Sequence, residues 1–147
     1  MPTTYTHDIF GKLVFQKLPE EIKAVILRQK AAYAIGLHGP DLLFYYKPFQ
    51  NNEVNQMGQR MHGEIAAAFF GHCKEKYLLT GDEAVLSYTL GFICHYMLDS
   101  TCHPYGYRYT ERTGASHAEI ETDLDRALME KNGKNPFRYR PSSALRA

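Results

Sequence analysis

His95 and Asp99 stand four residues apart, as do Asp99 and His103, and later His117 and Glu121. Residues at i and i+4 share one face of an α-helix, so each pair projects an imidazole and a carboxylate in one direction. Nitrogen and oxygen donors of this kind suit zinc, and two such pairs on two helices can clasp a metal between them. Taken singly, each residue has a plainer reading. A lone histidine on an apolar helix is more often a core or surface residue, a His95–Asp99 hydrogen bond would satisfy both partners, and Glu121 could belong to a solvated face with Glu119 and Asp123. His95 resists that reading, because it lies within Leu90-Gly91-Phe92-Ile93-Cys94 and Asp99 follows Tyr96-Met97-Leu98. Burying such groups costs on the order of several kcal/mol unless something pairs them. One metal cluster accounts for all five residues together.

The elements that must present these groups read as helices almost throughout. Ile9, Leu13 and Val14 recur at helical spacing over residues 8–18. Pro19, Glu20 and Glu21 open a second helix, since a first turn tolerates a missing N–H and favours carboxylates. That helix should end near Gly36, before the turn His38-Gly39-Pro40-Asp41. A breaker-rich loop at 47–52 precedes a long helix over 54–79, with Ile65, Ala68, Phe69 and Cys73 as buried candidates. Thr80-Gly81-Asp82 stops it and starts the next. The most apolar helix spans 83–102, and Pro104 should end it, because the residue before a proline disfavours helical geometry. Residues 105–114 read as a loop. Ser116 with Glu119 three residues on forms a capping-box pattern, and that last helix runs to about 131, closed by Asn132-Gly133. Residues 135–147 show no packed element. The expectation is an all-α single domain over 1–134, followed by a tail or truncated extension over 135–147.

With 147 residues the chain can bury one core, and its 44% apolar and 22% charged residues suit a globular domain. A formal charge of +1 supplies no strong field for nucleic acid, so no nucleic-acid partner is expected. No apolar run reaches bilayer length, so no integral membrane segment is expected either. The opening Met-Pro-Thr-Thr-Tyr-Thr-His lacks the basic and apolar regions of a signal peptide, which points to a cytoplasmic location. Three cysteines with no CxxC pair argue against a disulfide framework and a zinc ribbon.

The pattern His95-xxx-Asp99-xxx-His103, followed by His117-xxx-Glu121, resembles the zinc-dependent phospholipase C family, itself related to the single-strand-specific zinc nucleases. His7, Asp41 in a Gly-Pro-Asp turn, and His62 fit the same order upstream. The resemblance implies an all-α bundle of that type, short of the family's C-terminal helices, and a homodimer that covers the face left open. It implies two or three zinc ions: one held by Asp41, His62, His95 and Asp99, a second by His103, His117 and Glu121, and a third by His7 sharing Asp99. It further implies a phosphodiester or phospholipid substrate, hydrolysed with zinc as Lewis acid and Asp41 as general base.

The sequence departs from the family in three places. The third zinc is normally completed by an N-terminal Trp, and this chain has none; a Pro2 amine, Asp8, His38 or water are the substitutes at hand. Asp99 and His103 are two residues closer than in the secreted phospholipases. The aromatics that recognise choline are replaced by Leu42 and Gln59, so a choline headgroup is not implied. Phe44, Tyr45, Tyr46, Tyr105, Tyr107 and Tyr109 could build another aromatic wall or simply pack at the rim of the core. Two other functions stand beside the hydrolase: a non-catalytic metal-stabilised module that binds lipid or a partner, and another all-helical metal phosphohydrolase of the HD type, drawing on His7-Asp8.

Overall fold

The fold is described from a computed structural model, over residues 4–140 and 142–143. Seven α-helices and one 3₁₀ helix follow in order, with no strand among the described residues: α1 (Thr4–Lys17), α2 (Glu20–Arg28), α3 (Lys30–His38), the 3₁₀ helix (Gly39–Tyr45), α4 (Glu53–Gly63), α5 (Ala66–Thr80), α6 (Glu83–Thr113) and α7 (His117–Lys131). Helix α6 is the central rod, with α1, α2, α3, α5 and α7 set around it and α4 packed on the 3₁₀ helix.

The tightest crossing is between α3 and α6. A Cβ on Gly36 would collide with the Tyr88 carbonyl oxygen, and one on Gly91 with the Tyr33 carbonyl oxygen. Backbone cannot give way as a flexible side chain can, so only glycine permits this contact. Around it Ile26, Tyr33, Leu37 and Cys94 form the apolar core, extended by Phe10, Val14, Phe15, Leu18, Ile22 and Leu90. The Tyr33 hydroxyl donates to the Gly11 carbonyl at 2.9 Å, tying α3 to α1.

Four elements differ from the sequence expectation. The second helix breaks at Gln29, whose φ of −127° and ψ of 46° leave the helical region. There the fully buried Ser87 of α6 donates its hydroxyl at 2.9 Å to the Gln29 carbonyl, which also accepts the Tyr33 N–H at 3.2 Å. The helix expected over 54–79 breaks after Gly63, with Glu64 and Ile65 extended. Helix α5 then has no buried residue, and Ile65 is 82% exposed rather than part of the core. It lies instead as the wall of a cavity against α6, through Phe69 and Phe70 on Phe92.

The largest difference is at Pro104, which does not end α6: the helix continues to Thr113 and stops at Gly114, a left-handed cap with φ of 73°. An interior proline costs roughly 3 kcal/mol, and packing against α7 offsets it. Gly106 faces the His117 ring so closely that a Cβ would lie 2.8 Å from it. Finally, α1 begins at Thr4, ahead of the periodic stretch at 8–18, and His7 lies in its first turns. The caps at Asp82 and Ser116 form as the sequence indicates, the Ser116–Glu119 box being complete. After α7 the chain has turns and a short 3₁₀ piece, yet the Tyr139 ring packs edge-on against Tyr5 at 5.2 Å. Pro2 and residues 144–147 lie outside the described residues.

Candidate metal centre

Five elements deliver the eight residues singled out by sequence. Helix α1 supplies His7, the 3₁₀ helix Asp41, α4 His62, α6 His95, Asp99 and His103, and α7 His117 and Glu121. Asp41 arrives through Gly39, whose φ of +51° turns the chain out of α3; a Cβ there would lie 2.5 Å from His95 Cδ2. Three groups of these side chains bring ligand atoms within 4.8 Å of one another: His7, His95 and Asp99; Asp41, His62 and His95; and His103, His117 and Glu121. The Asp99 carboxylate joins them. Its Oδ1 lies 3.3 Å from His7 Nε2, and its Oδ2 lies 3.4 Å from His95 Nε2 and 3.9 Å from both His62 Nε2 and His103 Nε2. His95 is shared between two groups, an arrangement the i,i+4 spacing alone does not disclose.

The tautomers are set by the backbone. His62 Nδ1 lies 2.7 Å from the Gly58 carbonyl oxygen and His95 Nδ1 3.2 Å from that of Leu37. A carbonyl only accepts, so each Nδ1 carries the hydrogen and each Nε2 turns inward. His62 Nε2 then lies 3.0 Å from Asp41 Oδ1, a contact that suits either a charged ring donating to the carboxylate or a cation held by both atoms. Further in, Nδ1 and Nε2 of His7, Nε2 of His95, Oδ1 of Asp99 and Nε2 of His103 are buried without a hydrogen-bond partner. Native proteins seldom leave such groups unpaired. The two rings His7 and His95 stack at 4.2 Å, 17° from parallel, in a site where His7 is 1% exposed. The donor set, nitrogen and carboxylate oxygen with fixed tautomers, fits zinc.

Burial opposes ionisation of Asp99, yet the imidazoles of His7 and His95 hold its carboxyl well below the usual range. Burial lowers His62, but its contact with Asp41 outweighs this and the net shift is upward. Burial pushes His103 and His117 down, which favours the neutral, ligating imidazole.

Beside the cluster lies a cavity of about 380 Å³ between α4, α5 and α6. His62, His95, Asp99 and His103 form its polar end; Met61, Ile65, Phe69, Phe92 and Tyr96 form apolar walls, and His72 and Glu64 also line it. Asp41 is set behind its neighbour Pro40, which does line the cavity. Of the aromatic residues considered as a wall, Phe44 stacks on His62 at 5.6 Å and Tyr107 on His117 at 5.1 Å. Tyr105 and Tyr109 line a second, apolar groove behind His103 and His117, and Tyr45 and Tyr46 are largely exposed.

Asp8 is buried and paired with Lys12 at 2.7 Å, and it enters none of the three groups, which removes the basis for an HD-type centre. His38 is buried against the cluster, where burial first and the neighbouring His7 second hold it down to about 4. Sequence reasoning gave His38 only a minor place and missed Asp125, whose buried carboxylate receives the backbone N–H groups of Tyr5 and Thr6. No periodic signal marks either: His38 falls in a stretch that reads as a turn, and Asp125 looks like one more acid on a helix bearing Glu119, Glu121 and Asp123.

No curated protein and no solved structure matches the chain significantly. A family model described as zinc dependent phospholipase C matches residues 6–145, nearly its whole length. Together with the all-helical fold and the convergent histidine–carboxylate cluster, that match shows that the chain belongs to the zinc-dependent phospholipase C family.

Proposed function

We propose that the chain is a zinc-dependent hydrolase that cleaves a phosphodiester into a phosphomonoester and an alcohol. The observation that carries this reading is the set of buried imidazole nitrogens and the Asp99 oxygen without hydrogen-bond partners, gathered in adjoining groups beside an open cavity. Asp41, His62, His95 and Asp99 would hold one ion, His103, His117 and Glu121 a second, and His7 with Asp99 a third. Bound zinc supplies Lewis acidity and neutralises charge on a phosphate. The chain's own residues orient and exclude. The Gly58 and Leu37 carbonyls fix His62 and His95, and the apolar cavity wall gives the alcohol side of the substrate, in a lipid its glyceride, a dry place to lie. Asp41, paired with His62 and close to His7, is assigned to accept the proton from the attacking water.

The test is zinc analysis of protein purified without chelator, with hydrolysis of phospholipid vesicles and of a soluble aryl phosphodiester. Two or three zinc ions per chain are expected, with turnover lost on chelation and restored by zinc. Asp41→Asn should weaken the ion it shares with His62, His95 and Asp99 and lose roughly 10²–10⁴-fold in turnover. Fewer than one zinc per chain would sink the reading. Zinc-dependent folding with no turnover of either substrate would leave the non-catalytic, lipid- or partner-binding module in its place.

A further inference from the structure

The start of α1 is held from outside its own helix. The first N–H groups of a helix have no intrahelical acceptor. Here those of Tyr5 and Thr6 donate to Asp125 Oδ2 and Oδ1, each at 3.0 Å, and the Thr6 hydroxyl adds a third bond to Oδ1. Asp125 belongs to α7 and follows Glu121 by four residues and His117 by eight, on one helical face. It is 4% exposed, and its charge lies at the positive end of the α1 dipole. The residue after the two backbone donors is His7. Asn132, the C-cap of α7, reinforces the same junction by donating to the Tyr5 hydroxyl at 3.0 Å.

We propose that Asp125 is a positioning residue for the metal centre, capping α1 in trans so that His7 is held in register with the helix that bears His117 and Glu121. The proposal rests on the zinc reading above. Its basis is geometric. His7 lies within the first turns of α1, where a helix frays first, and a ligand must be held to about 0.5 Å to bind well. The carboxylate at those N–H groups comes from the helix that carries the other cluster, so loosening this cap loosens His7 relative to its partners. Asp125 therefore acts on zinc through His7.

The experiment uses the full chain with zinc alone as the ligand, titrated against a chromophoric chelator, and the visible spectrum of the cobalt-substituted protein. Asp125→Asn keeps the side-chain shape but turns an amide toward N–H donors. It should weaken by about 10–100-fold the ion that His7→Ala also weakens, and change the same cobalt bands. Thr6→Val, which deletes only the hydroxyl bond, should shift both readouts in the same direction by less. In a His7→Ala background, Asp125→Asn should add no further loss of zinc. Variants with a lower Tm but wild-type zinc affinity and cobalt spectrum would overturn the proposal. So would an undiminished Asp125→Asn effect in the His7→Ala background. If Asp125→Asn does not fold, Thr6→Val decides between the same two outcomes. A wild-type chain that takes up no zinc overturns the zinc reading itself, and this proposal with it.

Discussion

The two ends of the candidate metal centre are built on different plans. Around Asp99, the side chains of His7 and His95 are 1% and 3% exposed, and their cluster draws on α1, the 3₁₀ helix, α4 and α6. Around Glu121, His103 and His117 are 28% and 31% exposed, and among the described residues α6 and α7 contribute. The first end takes polar groups out of water before any ligand arrives, so the rest of the fold must hold them in place against that cost. The second leaves its rings about a third exposed and asks less of the fold. The buried end should therefore couple metal binding to folding, and the open end should tune metal occupancy with little effect on the fold.

The widest gap between the ends should show in paired substitutions. Asp99→Asn withdraws the one charge that four imidazoles approach, two of them within 3.4 Å. Zinc affinity should fall by more than about 100-fold, beyond the upper end for residues that merely support a ligand, and more than one ion should be lost. Glu121→Gln should lose one ion and lower Tm by less than Asp99→Asn does, because Glu121 belongs to the more exposed cluster. Both should abolish turnover. Zinc counts and melting curves on the two variants decide the matter. Equal loss of ions and equal melting would mean that the two clusters form one indivisible unit.

What could be read from sequence follows the same division. The open end lay in the i,i+4 spacing of His117 and Glu121 and in the Ser116–Glu119 box, all local signals on one helix. The buried end could be assembled only through the order of residues shared with a family, because His7, Asp41 and His62 lie on three separate elements whose packing no local pattern encodes. The fold class was likewise legible from periodicity, whereas its breaks were not. Gln29 and Gly63 interrupt apolar patterns that continue past them, since the Ser87 bond and the cavity wall are tertiary facts. Pro104 misled in the other direction: a strong local stop signal was overridden by the packing of α6 on α7, and Gly114 was the true terminator.

A smaller effect should come from Gly39, which touches the buried end alone. Its φ of +51° disfavours any side chain, and a Cβ would press the His95 ring. Gly39→Ala should cost roughly 1–3 kcal/mol, the range for a strained backbone position, and shift the His95-dependent ions while the Glu121 ion keeps its affinity. Calorimetric unfolding and chelator competition read the two effects separately. A loss of affinity shared by all ions would show that strain at His95 travels along α6 to His103.

The smallest effect belongs to the open end. Ser116 precedes His117, and its hydroxyl accepts from the Glu119 N–H at 3.3 Å while Glu119 Oε2 accepts from the Ser116 N–H at 2.8 Å. Ser116→Ala removes half of this box, worth about 1 kcal/mol of helix stability. Fraying of the first turn of α7 should loosen His117 but not Asp125, which lies more than two turns further on. The Glu119 carboxyl is held below its usual range by the backbone N–H and hydroxyl of Ser116. Its contribution is thus fully present above the ordinary carboxylate value and is lost as the pH falls through the lowered one. The Tm gap between wild type and Ser116→Ala should therefore be widest at neutral pH and narrow in acid, where the Ser116 hydroxyl still caps the Glu119 N–H. At neutral pH the variant should bind its weakest zinc a few-fold less tightly and retain the buried ions unchanged. If instead the buried ions weakened in step, α7 would be acting on His7 from its first turn, and the division between the two ends would have to be redrawn.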